Sequence, residues 1–287
     1  RTIKTIKKFD AKYNFQFIFT DNCSSDQTIK KIKSFENKKY KIKIIALSKN
    51  FGRTASQYAG LKNTESDYYF LIDIDCEDPP EMLADFIQKL EKGFQIVYGI
   101  RNRIKESFFL YIFGKLFYRI ANLFSDYDFI VDMAEFSLFT NNVKQELLKT
   151  KTNFPFIRGE LASVGYRRIG IKYYRQPRKF GKSKFKFFDL LFFAIGGLLS
   201  TSTFFLRGIA IFGLFITFVD FLLFILLINQ FSFTSYHFAM IAIVHSIYFI
   251  VALSFISIYL ARVHKNILDK PIFVIDYEKS FNFNQKK

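Results

Sequence analysis

Residues 68–81 read Tyr68-Tyr69-Phe70-Leu71-Ile72-Asp73-Ile74-Asp75-Cys76-Glu77-Asp78-Pro79-Pro80-Glu81. The first five form a strand-length apolar run, rich in aromatic residues, that stops at an aspartate. Five carboxylates then fall within nine residues. Like charges gathered at the end of a buried strand repel one another unless a cation neutralises them. Oxygen-only ligands suit Mg²⁺ or Mn²⁺, and an ion held by one or two carboxylates keeps its other positions for substrate phosphates. Pro79-Pro80 suits the first turn of a following helix. The stretch therefore predicts strand, acidic turn and helix, with a cation site at the turn. A solvated acidic turn is the competing reading; the position at a strand end favours the metal.

Outward from this stretch the pattern repeats. Apolar runs at 15–19, 42–47 and 95–99 are also strand length, and 136–139 and 171–174 read as further strands. The segments 26–36, 54–63, 79–92, 107–124 and 141–149 read as helices, and residues 1–9 as the end of another. Strand–helix alternation predicts an α/β fold with a parallel sheet and covering helices. Such sheets bind ligands beyond the carboxyl ends of their strands. Asp21 and Asp73 both stand at strand ends, so both can reach one crevice.

Half of the 287 residues are hydrophobic, 40 of them Phe, and a nearly charge-free zone begins after Arg207. Gly208–Ile228 is an apolar run whose one charge is Asp220, and Tyr236–Leu260 has no Asp, Glu, Lys or Arg. A membrane-spanning helix needs about 20 apolar residues, so both qualify. Arg207 before the first run, and Arg262, His264 and Lys265 after the second, place both ends on the cytoplasmic face by the positive-inside rule. Asp220 reads as a structural or oligomer contact within a span. Residues 185–199, strongly apolar and next to the spans, are expected to lie in the membrane interface plane. The expected organisation is a catalytic domain over 1–184, an interfacial segment over 185–207, a two-helix membrane hairpin over 208–260 and a cytoplasmic tail over 261–287.

A net charge of +17 calls for an anionic partner. The two spans, and the lack of a helix-turn-helix or zinc pattern, argue against nucleic acid. Two cysteines make no disulfide framework and fit a reducing compartment. The first histidine is His237, so a histidine base is not expected in the first 200 residues.

Three further stretches carry chemistry. Asp21-Asn22-Cys23-Ser24-Ser25-Asp26 follows a strand and opens a helix; it reads both as a helix cap and as a nucleotide-binding turn. Lys49-Asn50-Phe51-Gly52 is a turn after a strand. Residues 175–185, Arg175-Gln176-Pro177-Arg178-Lys179-Phe180-Gly181-Lys182-Ser183-Lys184-Phe185, form a basic loop. It suits lipid headgroups or, by the fork geometry of arginine, substrate phosphates.

These blocks, in this order, resemble a family 2 glycosyltransferase of the dolichyl-phosphate mannose synthase and polyprenyl-phosphate glycosyltransferase group. Ser48-Lys49-Asn50-Phe51-Gly52, the text at 91–101, Tyr259-Leu260-Ala261-Arg262 and Pro271-Ile272-Phe273-Val274 extend the likeness over nearly the whole chain. The resemblance implies a GT-A-like, Rossmann-type nucleotide-sugar domain. It implies that Asp21 and Asn22 bind the donor nucleotide, and that Asp73, Asp75 and Glu77 surround Mg²⁺ or Mn²⁺ and the diphosphate. Arg101 and Lys115 would receive the acceptor phosphate, and Arg175, Arg178 and Lys184 would lie on a mobile loop near the phosphates. Where the family has Gly-Asp-Phe-Arg, this chain has Ala134-Glu135-Phe136-Ser137. Glu135 keeps the carboxylate on a longer arm and is assigned to orienting acceptor or sugar; Ser137 replaces the arginine. The family's opening strand, with an Ile-Pro-x-Tyr-Asn-Glu-like motif, is not in the sequence, so a natural N-terminus before Arg1 is expected.

The implied reaction is an inverting single displacement from a UDP- or GDP-sugar to a polyprenyl phosphate at the cytoplasmic membrane face, by a metal-dependent hexosyltransferase. A phosphomonoester acceptor, with a second pKa of about 6, needs little help from a base. Positioning and neutralisation of the leaving diphosphate are the harder tasks. A processive polysaccharide synthase would carry Gln-x-x-Arg-Trp, and the chain has no Trp. A membrane-anchored nucleotide-binding scaffold with impaired catalysis is the alternative, motivated by residues 134–137. The sequence leaves homo-oligomerisation open.

Overall fold

The computed structural model describes residues 1–36, 40–102, 133–149, 156–176, 203–228, 234–268 and 270–283. The expected helix over 107–124 and the interfacial stretch over 185–199 lie outside these residues.

Among the described residues six strands form two sheets. β1 (Gln16–Asp21) and β2 (Lys41–Ala46) pair in parallel, from Gln16 opposite Lys41 to Asp21 opposite Ala46. The second sheet has the order β3-β5-β4-β6. It contains β3 (Tyr68–Leu71), β4 (Ile96–Asn102), β5 (Met133–Thr140) and β6 (Arg168–Tyr174). β4 and β6 are parallel, but β5 runs antiparallel to both of its neighbours. The wholly parallel sheet expected from strand–helix alternation is thus corrected at β5. This strand is buried along almost its whole length, yet Glu135 and Ser137 interrupt its apolar run, so neither its length nor its direction stands out in the sequence.

Both faces of the second sheet are covered, as the period-2 alternation of its strands requires. Ile96 and Phe139 face one way and pack with Tyr58 and Leu61 of α3 (Arg53–Lys62), Val143 and Leu147 of α5 (Asn141–Lys149), and Ile157 and Leu161 of α6 (Ile157–Ser163). Val97, Leu138 and Phe136 face the other way, against Ile6 of α1 (Thr2–Ile6) and Leu83, Phe86 and Ile87 of α4 (Leu83–Glu91). The ring of Phe136 sits 5.0 Å from Phe86, 5.3 Å from Phe70 and 5.4 Å from Tyr173. A side chain at Gly99 would collide with this layer: a Cβ there would lie 2.6 Å from Tyr173 and 3.0 Å from Phe136. The helix after the acidic turn begins with a 3₁₀ turn, Pro80–Met82, as proline at the first helical position favours. A short helix α2 (Thr28–Lys33) links β1 to β2.

Two long helices follow. α7 (Phe204–Ile228) and α8 (Ser235–Ile267) are long and apolar enough to cross a membrane. Only 6% of each apolar stretch is buried against protein, which separates them from core helices of a water-soluble fold. They touch through stacked Phe205 and Phe255 rings at 5.3 Å and through the Tyr248 hydroxyl, which donates to the Ile209 carbonyl at 3.1 Å. Asp220, the charge inside the first run, lies 2.9 Å from His245 Nε2 of the same hairpin.

Residues 270–283 return to the globular part. Leu47 and Ile275 form an antiparallel bridge, as do Ile44 and Phe281, and the Asp276 amide donates to the Ala46 carbonyl at 2.8 Å. Phe273, Ile275 and Phe283 cover Ile45, Leu47 and Ala59. The outer edge of β2, an open hydrogen-bonding template otherwise, is closed by the chain that leaves α8.

Candidate active site

β1 ends at Asp21, which is buried and whose Oδ2 accepts a hydrogen bond from the Ser24 amide at 2.9 Å. Cys23, at φ 66°, turns the chain there. Asn22 ties this turn to the next one. Its Oδ1 accepts from the Phe51 amide at 2.9 Å, and its Nδ2 donates to Asn50 Oδ1 at 2.7 Å. Asn50 Oδ1 also accepts the Gly52 amide at 2.9 Å. Gly52 sits at φ 92°, a conformation glycine adopts without steric cost, and it opens α3. Two turns whose asparagines, Asn22 and Asn50, are 28 residues apart are thereby one unit at the strand ends. Asn22 commits its side chain to building the turn.

The acidic turn after β3 divides its carboxylates. Asp73 Oδ2 lies 2.7 Å from Arg53 Nη2. Asp75 Oδ1 accepts the Glu77 amide at 3.1 Å, with Cys76 at φ 62° between them. Glu77 is buried and ion-paired with Arg175, and its carbonyl accepts the Gln176 amide at 2.9 Å. Asp78 accepts the Tyr173 hydroxyl, and Tyr173 in turn accepts Arg101 Nε at 3.3 Å. Glu81 is forked by Arg1 with two contacts of 2.8 Å. Glu77, Asp78 and Glu81 therefore clamp β6 and the N-terminal helix onto the turn.

Glu135 projects from β5 into the same region. Its Oε2 lies 2.7 Å from Arg53 Nη2 and accepts Gln57 Nε2 at 2.9 Å, and its Oε1 is 3.7 Å from Arg158 Nε. Arg53 and Gln57 are one helical turn apart on α3 and so share a face. Sequence reasoning missed all three of these residues. Arg53 was nearest to legible, since it directly follows the Gly52 turn; Arg158 carries no sequence signal.

The electrostatics follow from this crowding. Burial pushes the Asp73 carboxyl up from its ordinary pKa, with Glu135, Asp78 and Asp75 adding to the shift and Arg53 opposing it. Burial, then the Asp78 hydrogen bond, raises the Tyr173 phenol. Burial disfavours charge on Arg101, but Tyr173, Asp78 and Asp73 outweigh it and hold its proton more firmly than usual.

Among the described residues no three of His, Cys, Asp and Glu converge as a ready metal cage. Asp73 and Asp75 nevertheless fit a divalent cation. Both are oxygen donors at a strand end, and burial, the main cause of the upward shift of Asp73, with the neighbouring carboxylates adding to it, is what a bound cation would offset. Glu77, the third residue expected there, is ion-paired with Arg175. Of the basic residues expected near phosphates, Arg101 and Arg175 meet the acidic turn through Tyr173 and Glu77; Lys115, Arg178 and Lys184 lie outside the described residues.

The model of the family described as "Glycosyl transferase family 2" matches residues 1–152. The chain is 26% identical over 284 residues to an uncharacterized glycosyltransferase, YkcC, of Bacillus subtilis, covering 96% of this chain and 87% of the relative. It is 27% identical over 271 residues to the uncharacterized glycosyltransferase sll0501 of Synechocystis, covering 92% of this chain and 85% of that one. A bactoprenol glucosyl transferase of Shigella phage SfX is 28% identical over 227 residues, 76% of this chain and 73% of its own. With a GT-A-like domain, an acidic turn at the strand ends and two long apolar helices behind it, the chain belongs to glycosyltransferase family 2.

Proposed function

We propose that the protein transfers a hexose from a UDP- or GDP-sugar to a polyprenyl phosphate at the cytoplasmic face of a membrane. The observation that carries this reading is the union, in one chain, of a half-buried acidic turn at the strand ends with two apolar helices that are almost uncovered by protein. A soluble acceptor gives no reason for the helices; a lipid-linked one does. The bactoprenol glucosyl transferases among the relatives support the same acceptor class.

In this reading an acceptor phosphate oxygen attacks the sugar's anomeric carbon, and the nucleoside diphosphate leaves with the bonding electrons. Asp21 orients the nucleotide from the end of β1. Asp73 and Asp75 would hold Mg²⁺ or Mn²⁺, which would supply positive charge for the leaving diphosphate. Glu135, held by Arg53, Gln57 and Arg158, orients the acceptor or sugar. Arg101 and Arg175, with Lys115, Arg178 and Lys184 from the neighbouring segments, attract the phosphates.

The test is a donor survey in membranes containing the protein, Mg²⁺ or Mn²⁺ and added polyprenyl phosphate. Radiolabel from one UDP- or GDP-sugar should enter the lipid phase, and Asp75→Asn should abolish it. Metal and nucleotide binding without transfer from any donor would instead favour the scaffold reading, with Glu135 and Ser137 as its cause.

A further inference from the structure

We infer that Arg53 is a built-in counter-ion of the cation site, paired with Asp73 while the site is empty and released to the donor diphosphate when a divalent ion binds. The inference rests on the reading of Asp73 and Asp75 as cation ligands. One nitrogen, Nη2, lies 2.7 Å from Asp73 Oδ2 and 2.7 Å from Glu135 Oε2. It therefore stands against a carboxylate oxygen that a divalent ion would use.

Two cations cannot share that oxygen at close range without strong mutual repulsion. An ion that takes Asp73 Oδ2 displaces the guanidinium from it. The surroundings permit this. The Arg53 side chain is 48% exposed, so it has room to turn. Glu135 is not abandoned when Arg53 moves, because Gln57 Nε2 donates to it at 2.9 Å and Arg158 stands 3.7 Å away. A diphosphate arriving with the ion offers the displaced guanidinium a new anion of matching geometry. Arg53 thus suppresses metal binding to the empty protein and favours joint binding of metal and nucleotide. The same mobility keeps two facing carboxylates, Asp73 and Glu135, from repelling each other between turnovers.

The test is Mn²⁺ titration of the purified full chain in detergent, with free Mn²⁺ read by electron paramagnetic resonance. Arg53→Gln and Arg53→Met remove the charge, Arg53→Lys keeps it, and Asp73→Asn removes the contested oxygen. Without nucleotide, both charge-free variants should bind Mn²⁺ roughly ten-fold tighter than wild type. Arg53→Lys should stay near wild type, and Asp73→Asn should bind weakest. With UDP or GDP added, wild type should gain Mn²⁺ affinity and the charge-free variants should gain less. Using two charge-free variants keeps the comparison intact if one folds poorly. Unchanged or weaker Mn²⁺ binding by both, alongside clear binding by wild type, overturns the counter-ion role alone. Absence of Mn²⁺ binding in every form, Asp73→Asn included, overturns it together with the cation-site reading. Neither readout depends on whether sugar transfer to lipid is detected.

Discussion

A single guanidinium, that of Arg53, joins Asp73 at the end of β3 to Glu135 on β5, with 2.7 Å to each. The two carboxylates come from elements more than 60 residues apart in sequence and meet only because β5 inserts beside β3. The acidic turn is consequently two things at once. Asp73 pairs with Arg53 and Asp75 accepts the Glu77 amide, while Glu77, Asp78 and Glu81 bolt the turn to Arg175, Tyr173 and Arg1.

That division separates chemistry from stability. Asp75→Asn should lower transfer by roughly 10²-fold or more, the scale of losing one charge-stabilising group in an active site, with the melting temperature unchanged. Arg175→Ala should lower the melting temperature as well as transfer, because it also removes an ion pair of the buried Glu77 carboxylate. Its expected cost is about 2 kcal/mol, reduced from the fully buried case by the partial exposure of Arg175. Initial rates and thermal melts on both variants check the contrast.

Glu160 gives a pH signature outside the crevice. Burial raises its carboxyl from 4.5 to about 7, and its oxygens accept the Tyr58 hydroxyl and, at 3.1 Å, the Phe156 amide. The folded state therefore binds more protons than the unfolded state between those pH values. Its contribution is fully present below pH 4.5 and is lost as pH rises through about 7. Over that window the loss amounts to about 3 kcal/mol. Glu160→Gln should flatten this slope, so that denaturation of wild type and variant converges at low pH and the variant is the more stable at pH 8. An identical slope in both would refute the assignment.

Gly99→Ala should destabilise by about 1–3 kcal/mol, the range for overpacking a filled core. The added Cβ would strike Tyr173, which also carries the hydrogen bonds to Asp78 and Arg101. Activity should fall with stability at this position, and chemical denaturation measures the first part.

The strap after α8 makes a separate claim. Ile275→Ala combined with Phe273→Ala removes side chains that cover Ile45, Leu47 and Ala59 and weakens the closure of the β2 edge. The expected loss is about 2–4 kcal/mol for two partly buried apolar side chains, together with a greater tendency to aggregate. Hydrogen exchange should quicken at Ile44 and Ser48, whose amides donate to the Phe281 and Val274 carbonyls of the strap.

The sequence revealed the parts whose signals are local. Apolar runs ending in Asp21 and Asp73, the Gly52 turn and two long charge-poor helices can each be read from neighbouring residues alone. What escaped depends on long-range pairing. β5 was only half seen because Glu135 and Ser137 break its pattern, and its direction is set by partners on other strands. Arg53, Gln57 and Arg158 are ordinary helix residues until β5 brings Glu135 against them. The strap over 270–283 has no periodic signal, since its hydrogen bonds are to β2 and its apolar residues alternate irregularly. The resemblance implies a place for Glu77 beside the metal, and only the folded chain shows its side chain paired with Arg175, nearly 100 residues later.

The most direct measurement is the mass of the lipid after reaction. Purified protein, Mn²⁺, polyprenyl phosphate and the donor found in the survey are incubated together, and the extracted lipid is weighed by mass spectrometry. The account predicts a polyprenyl phosphate heavier by one hexose residue, formed in step with released nucleoside diphosphate and absent with Asp75→Asn. A donor consumed while the lipid keeps its original mass would contradict it.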